Sequence, residues 1–296
     1  MTDDHRVEGL FWQGAAHGAL KALPTRRNNV RDRWGWVITI AIVFLVTGCS
    51  GAVPATRPAS GSAPVKVVLF GDSLAYQAAS YFDQLVQAHG AANVIDFVFG
   101  GTAACDWLPD MRSVALTRPQ AVVMEFSGNT FTSCMGGCPP ESSSAVSKYC
   151  VDVSAAIHLF LTVGTHVFLD GTPISYAQSV SHDRHWNDLN RAFAALAAKY
   201  RRDVTYVDAG RAVEGPGGTF TWTLPCLSTE PCTGPTVAGV RTNVVRSPDG
   251  AHLCLIDNGN APGCGSYSSG AFRFASAMAN PVIKAFHLSR ADGTSR

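Results

Sequence analysis

The chain has 296 residues, of which 46% are hydrophobic and 15% are charged, and these values fit one or two globular domains with a substantial core. The formal net charge is +1. The first 33 residues hold six of the 23 basic and four of the 22 acidic residues, so 17 basic and 18 acidic residues remain. This balance excludes the strong positive field that nucleic-acid binding requires, and we expect no nucleic-acid partner.

The N-terminal 48 residues resemble a signal peptide or an N-terminal membrane segment. A basic stretch precedes the uncharged, mostly apolar run 34–48, which is shorter than the ~20 residues of a spanning helix. This run ends in Val46-Thr47-Gly48-Cys49, which resembles a bacterial lipobox, so Cys49 is a candidate lipidation site. Cleavage as an ordinary signal peptide and an uncleaved anchor are the alternatives. All three interpretations predict export, either to the outer face of the membrane or as a secreted protein.

Short apolar runs alternate with stretches of helical spacing after a small, proline-rich linker over residues 49–64. We expect one domain over 65–288 and a short tail over 289–296. Predicted strands cover 65–70, 94–99, 121–126, 166–169 and 204–207. Predicted helices cover 75–89, 145–163, 186–200 and 268–286. The last helix is expected to be interrupted near Pro281, and 210–246 is expected to be a long, disulfide-braced loop. The alternation predicts an α/β fold with a parallel sheet covered on both faces.

The cysteine count supports an oxidising compartment. Eight of the nine cysteines remain when Cys49 is set aside, and eight cysteines permit four disulfides. They are Cys105, Cys134, Cys138, Cys150, Cys226, Cys232, Cys254 and Cys264. Closeness in sequence favours Cys226–Cys232 and Cys254–Cys264, with the other four pairing among themselves. A zinc site on Cys134 and Cys138 is disfavoured because no second ligand pair completes it, and we expect no metal.

Four short motifs occur in order along the domain. Gly71-Asp72-Ser73-Leu74 follows the first predicted strand, Gly100-Gly101-Thr102 the second, and Ser127-Gly128-Asn129 the third. Asp249-Gly250-Ala251-His252 lies near the C-terminal end. Ligands of open α/β sheets bind at the carboxyl ends of the strands, so the first three motifs lie where a site is expected.

The residue types in these motifs suit acyl transfer. Ser73 is a candidate nucleophile, His252 the base that takes its proton, and Asp249 the carboxylate that orients the imidazole. An oxyanion could be stabilised by the backbone N–H of Ser73, a backbone N–H of Gly100 or Gly101, and the side-chain amide of Asn129. Each motif alone is also an ordinary turn or helix cap, but their joint occurrence favours a catalytic site. A non-catalytic binding protein is the alternative of another class.

This set of residues resembles the GDSL/SGNH hydrolase superfamily over about residues 65–286. The resemblance implies a three-layer α/β/α, flavodoxin-like domain and an esterase without metal or organic cofactor. Ser73 then matches the nucleophile, Asn129 the oxyanion asparagine, and Asp249 and His252 the D-x-x-H pair. Gly101 is favoured over Gly100 as the oxyanion glycine. The signal and lipobox resemble those of actinobacterial, mycobacterial-type envelope proteins.

The substrate is less constrained than the chemistry. Near-neutral charge and an envelope location favour esters of glycans, glycolipids or lipids, with an O-acyltransferase on envelope carbohydrate as an alternative that uses the same residues. Asp106 and Trp107 could line the substrate pocket or pack in the core. Trp222 could stack on a sugar, cover an acyl chain, or anchor its loop.

Overall fold

The computed structural model describes residues 64–89, 92–181, 187–259 and 261–288. The predicted signal segment, Cys49, nearly all of the linker and the predicted tail lie outside these residues. None of the helices in the described ranges is both long and apolar enough to cross a membrane.

A central parallel sheet of five strands forms the middle layer of the domain. The strands are β1 (Val65–Gly71), β2 (Ala92–Val98), β3 (Ala121–Glu125), β4 (His166–Asp170) and β5 (Val204–Val207). Their order is β2-β1-β3-β4-β5, which is the flavodoxin-like order and confirms the predicted fold. Gly71, Val98 and Glu125 are paired in register, as are Glu125 and Asp170, so the carboxyl ends of four strands lie side by side.

Helices cover both faces of this sheet. They are α1 (Ser73–Ala88), α2 (Ala104–Ala115), α3 (Ser143–Leu161), α4 (Tyr176–Val180), α5 (Asp188–Lys199) and α6 (Ser269–Ala285). Side chains of β1 alternate between two core layers. Val67 and Leu69 pack with residues of α1 and α6, whereas Val68 and Phe70 pack with residues of α2, α3 and α5. The three layers that the resemblance implied are therefore present.

The segment 210–246 contains more regular structure than the predicted loop. β6 (Thr223–Pro225), β8 (Val240–Val244) and β7 (Thr236–Val237) form a small antiparallel sheet in that order. These strands are short and mix apolar with polar residues, so periodicity does not reveal them. A buried ion pair between Glu230 and Arg273 joins this segment to α6. Burial alone would raise the pKa of Glu230, but hydrogen bonds led by that from Arg273 lower it to about 2.

The predicted interruption of the last helix is wrong. α6 continues through Pro281, although proline removes one backbone hydrogen bond from the helix. Met278, Ala279 and Val282 around it are buried in the core layer shared with α1, and this packing maintains the helix. No helix was predicted at α2, which contains Pro109.

Three disulfides form among the described residues, and the expectation of four is wrong. Cys226–Cys232 and Cys254–Cys264 are confirmed, and Cys105 pairs with Cys134. An even count permits complete pairing but does not enforce it. Cys138 and Cys150 are free; Cys138 packs against an apolar core layer, and burial raises the pKa of the Cys150 thiol, which favours the unreactive protonated form.

Candidate active site

The turn between β1 and α1 presents Ser73 at the start of a helix. Only Asp72 separates the strand from the helix, and its Oδ1 accepts a 3.1 Å hydrogen bond from the backbone N–H of Leu74. A side chain at Gly71 would collide with Ala75 and with the backbone oxygen of Glu125, so only glycine permits this close approach. Ser73 is partly exposed, and in the described part of the chain its hydroxyl has no hydrogen-bond partner. It is therefore available to a substrate.

Asp72 is the centre of a buried hydrogen-bond network. Its Oδ2 accepts from the backbone N–H of Ser127 (2.6 Å), the hydroxyl of Ser127 (2.7 Å) and the side-chain amide of Asn129 (2.9 Å). Burial raises the pKa of Asp72, and the hydrogen bonds from Ser127 and Leu74 oppose that shift. Sequence reasoning missed the roles of Asp72 and Ser127. The signal was their place inside two of the motifs.

Asn129 joins the loops that follow the first three strands. Its amide Nδ2 donates to Asp72 and, at 3.2 Å, to the backbone oxygen of Thr102. Its backbone oxygen accepts a 2.8 Å hydrogen bond from the buried Tyr149 hydroxyl. The amide is thus fixed beside the nucleophile turn by contacts on two sides.

The two candidate oxyanion glycines occupy different positions. Gly100 faces Ser73, since a Cβ built on Gly100 would lie 3.8 Å from the Ser73 Cβ, and Gly100 lines the same cavity as Ser73. Gly101 has φ of +79°, and a Cβ built on it would contact nothing within 4 Å. Gly101 therefore makes the turn possible, while Gly100 is the residue that faces the nucleophile.

Asp249 and His252 form a hydrogen-bonded pair on one tight turn. The imidazole Nδ1 lies 2.6 Å from Oδ2 of Asp249, and Oδ1 accepts from the backbone N–H groups of Ala251 and His252. Burial alone would raise the pKa of Asp249, but the hydrogen bonds from His252 and Ala251 lower it below its usual value. The ionised carboxylate holds the ring with Nε2 free for a second partner.

Gln77 connects the histidine turn to the nucleophile helix. It lies four residues after Ser73 and so on the same face of α1. Its Oε1 accepts hydrogen bonds from the backbone N–H groups of Leu253 (2.7 Å) and Cys254 (3.2 Å). Sequence reasoning missed Gln77, although its i+4 spacing from the nucleophile was visible.

A cavity of about 760 Å³ lies between the Gly100 loop and the histidine turn. Ser73, Asp249 and His252 all line it, so the structure brings the predicted nucleophile and the Asp–His pair to one space. Its apolar walls are formed by four residues, namely Val98, Phe99, Leu255 and Pro262. Asp249 and Asp257 also line it, but no lysine or arginine does among the described residues. This lining favours a neutral substrate over an anionic one.

The two tryptophans singled out in the sequence take different places. Trp107 packs against Phe70 and Phe97 and donates its indole N–H to Thr102, so it is a core residue. The Asp106 carboxylate caps α2 by accepting from the backbone N–H of Ala103.

Trp222 belongs to an aromatic cluster with Tyr176 and Phe220, whose ring centroids lie 4.9 to 5.6 Å apart. This cluster touches Gly250, next to Asp249, and Trp222 remains 41% exposed. It supports the turn that carries the Asp–His pair.

Neither a protein-family model nor a curated protein sequence matches this chain. Solved structures do. A crystal structure of TesA is 15% identical, with a TM-score of 0.49, covering 74% of this chain and 98% of that one. A GDSL-like lipase from Bacteroides thetaiotaomicron is 12% identical, with a TM-score of 0.48, covering 75% and 88%. A catalytic mutant of Axe2, an acetylxylan esterase from Geobacillus stearothermophilus, is 14% identical, with a TM-score of 0.41, covering 51% and 78%.

At these identities and TM-scores, the resemblance to GDSL/SGNH hydrolases stays a prediction that depends on the four motifs. What the site can do chemically follows from the residues of this chain. A hydroxyl at a helix N-terminus, an oriented imidazole on the same cavity, and an amide bonded to Asp72 beside that hydroxyl are groups that acyl transfer requires.

Proposed function

We propose that this protein is an exported serine esterase of the GDSL/SGNH superfamily, which hydrolyses carboxylic esters through an acyl-enzyme. The observation that carries the proposal is the hydrogen-bonded Asp249–His252 pair lining the same cavity as Ser73. Ser73 and the Asp249–His252 pair come from opposite ends of the domain, so their convergence is not a consequence of local sequence. A non-catalytic binding protein would not require it.

The first half of the reaction forms the acyl-enzyme. His252 Nε2 takes the proton of the Ser73 hydroxyl as Oγ attacks the ester carbonyl carbon. The oxyanion accepts hydrogen bonds from the backbone N–H groups of Ser73 and Gly100 and from the Asn129 amide. His252 then donates its proton to the leaving alcohol oxygen as the ester C–O bond breaks.

The second half releases the acid. Water enters the cavity, His252 takes one of its protons, and the water oxygen attacks the acyl carbon. The oxyanion forms again and collapses, the bond to Ser73 Oγ breaks, and Ser73 recovers its proton from His252. Asp249 stays ionised throughout and stabilises the transient imidazolium.

The location and the substrate class belong to the same proposal. The disulfides fit an oxidising compartment, and the apolar run before Cys49 is typical of export. The cavity offers apolar walls and no lysine or arginine from the described residues, which supports neutral esters. We infer that the substrates are acylated glycans, glycolipids or lipids of the cell envelope.

Covalent labelling tests the reaction type directly. The 50–296 protein, purified oxidised, is treated with a fluorophosphonate and weighed intact by mass spectrometry. We expect one adduct, its loss in Ser73→Ala, and its retention in Ser113→Ala, which removes an exposed serine of α2. Hydrolysis of p-nitrophenyl acetate should follow the same pattern. A folded protein that takes no label and cleaves no ester would refute the esterase and favour the binding protein.

A further inference from the structure

Glu125 is a buried carboxyl that the mechanism above does not use. It is the last residue of β3, and its relative exposure is 0%. Its Oε2 accepts a 2.9 Å hydrogen bond from the backbone N–H of Ala75, in the first turn of α1. The side chain therefore reaches from the central sheet to the helix that begins with Ser73.

Glu125 is also a neighbour of Asp72, whose backbone N–H donates a 3.3 Å hydrogen bond to the Glu125 backbone oxygen. Glu125 Oε1 is buried and has no hydrogen-bond partner among the described residues, and the Asp72 carboxyl is close enough to raise the pKa of Glu125. A hydrogen bond between the two carboxyls would need a proton on one of them, because an ionised carboxylate only accepts. Asp72 already accepts four hydrogen bonds, whereas Glu125 accepts one. A proton shared by the two carboxyls therefore belongs on Glu125 rather than on Asp72.

The surroundings of Glu125 favour this protonated form. Burial raises its pKa well above the usual value, and the negative charges of Asp72 and Asp170 raise it further, against the opposing effect of the Ala75 N–H. Asp170, at the end of β4, is also fully buried, and burial raises its pKa well above the usual value. The other titratable neighbour, Tyr149 on α3, has its pKa raised mainly by burial. No positive side chain opposes these effects among the described groups that shift the pKa of Glu125.

We propose that Glu125 is a positioning residue, which ties the first turn of α1 to Asp72 and thereby fixes the oxyanion donors. Through Ala75 it holds the helix start that carries the Ser73 N–H. Through Asp72 it holds the carboxylate to which the Asn129 amide is bonded. The proposal rests on the proposed function, since it concerns the same site.

Two substitutions of Glu125 distinguish a positioning role from a role in packing alone. Glu125→Gln keeps an acceptor for Ala75 and a donor for Asp72, whereas Glu125→Leu fills a similar volume with neither. We expect kcat of the Leu variant, counted per fluorophosphonate-labelled site, to fall at least 30-fold with KM changed less than threefold. The Gln variant should stay within fivefold of wild type. Asp170→Asn, a buried acid with no bond to α1, should stay within threefold.

Hydrogen exchange supplies a readout that does not depend on catalysis. The Ala75 amide should exchange at least tenfold faster in Glu125→Leu and at the wild-type rate in Glu125→Gln. Full activity per labelled site in the Leu variant, equal losses in both variants, or unchanged Ala75 exchange would overturn the positioning role. If the wild type takes no fluorophosphonate label but Ala75 exchange in the two variants follows the expected pattern, the esterase is refuted and the link from Glu125 to α1 is supported.

Discussion

Asn129 commits its side-chain amide to two acceptors in the free protein, the Asp72 carboxylate and the Thr102 carbonyl. An oxyanion would need one of the two N–H groups of this amide. The bond to Thr102 is longer, 3.2 Å against 2.9 Å, and its acceptor is neutral, so it is the bond that should yield when negative charge develops. The bond to Asp72 then keeps the amide aimed during the reaction.

This arrangement predicts a loss confined to the transition state. Asn129→Ala should lower kcat for p-nitrophenyl acetate about 10²- to 10³-fold, or about 3 to 4 kcal/mol, with KM little changed. Steady-state kinetics of the purified variant measure both values. Asn93→Ala, on the exposed side of the edge strand β2, is the matched control and should behave as wild type. A rise in KM alone would mean that Asn129 binds substrate without stabilising the oxyanion.

At the scale of elements, α1 positions both the proposed nucleophile and the proposed base. Its first residue is the proposed nucleophile, and its fifth, Gln77, holds the backbone that follows His252. The distance between the proposed nucleophile and the proposed base thus depends in part on this side chain. A helix is a stiff support for this purpose, and loops tied to rigid elements are how active sites keep their geometry.

Loss of the Gln77 acceptor should loosen the histidine turn. Two hydrogen bonds of about 1 kcal/mol each correspond to a fall in kcat of roughly 30-fold in Gln77→Ala. Gln77→Glu keeps an acceptor oxygen and should retain more activity than Ala. Gln87→Ala, on an exposed position of the same helix, controls for the change in helix composition. Wild-type kinetics in Gln77→Ala would show that the histidine turn keeps its position without the Gln77 hydrogen bonds.

Much of the element pattern was accessible from sequence, and the failures have physical causes. The strands of the parallel sheet are apolar because both faces are covered, and β5 occupies the same four residues in prediction and structure. The Gln77 contact joins residues 176 positions apart, and no periodicity encodes such a pairing. Glu125 stood at the end of an apolar strand, but only the packed structure shows that Asp72 and the Ala75 N–H face it.

For the whole molecule, a pair of carboxyls away from the cavity sets a pH dependence. Asp83 of α1 and Asp96 of β2 are partly buried neighbours, and one oxygen of each carboxyl has no hydrogen-bond partner among the described residues. Burial, followed by the charge of Asp83, raises the pKa of Asp96 to about 7. The folded state then binds more protons than the unfolded chain between about pH 4 and 7. Stability must fall as the pH rises through this window.

Replacing one member of this pair should remove the effect. Asp96→Asn should raise the free energy of unfolding at pH 8 by about 1 kcal/mol, a value reduced by solvent screening, and should make the profile less steep between pH 4 and 7, where Glu125 and Asp170 also contribute. Urea titrations across that range measure it. Asp203→Asn, at an exposed site, should leave the slope as in wild type. An unchanged slope in Asp96→Asn would place the titration elsewhere.

The order of the reactive groups along the chain has a consequence for biosynthesis. Ser73 is the first residue of the first helix, α1, whereas α6 is the one helix that follows His252 in the described part of the chain. During translation, Ser73 is therefore synthesised long before His252, the base proposed to activate it. Under the proposed function, a nascent or truncated chain would hold a hydroxyl without a proton acceptor and would be inert toward esters. Activity would then require that the two ends of the domain close on each other, and it would report complete folding.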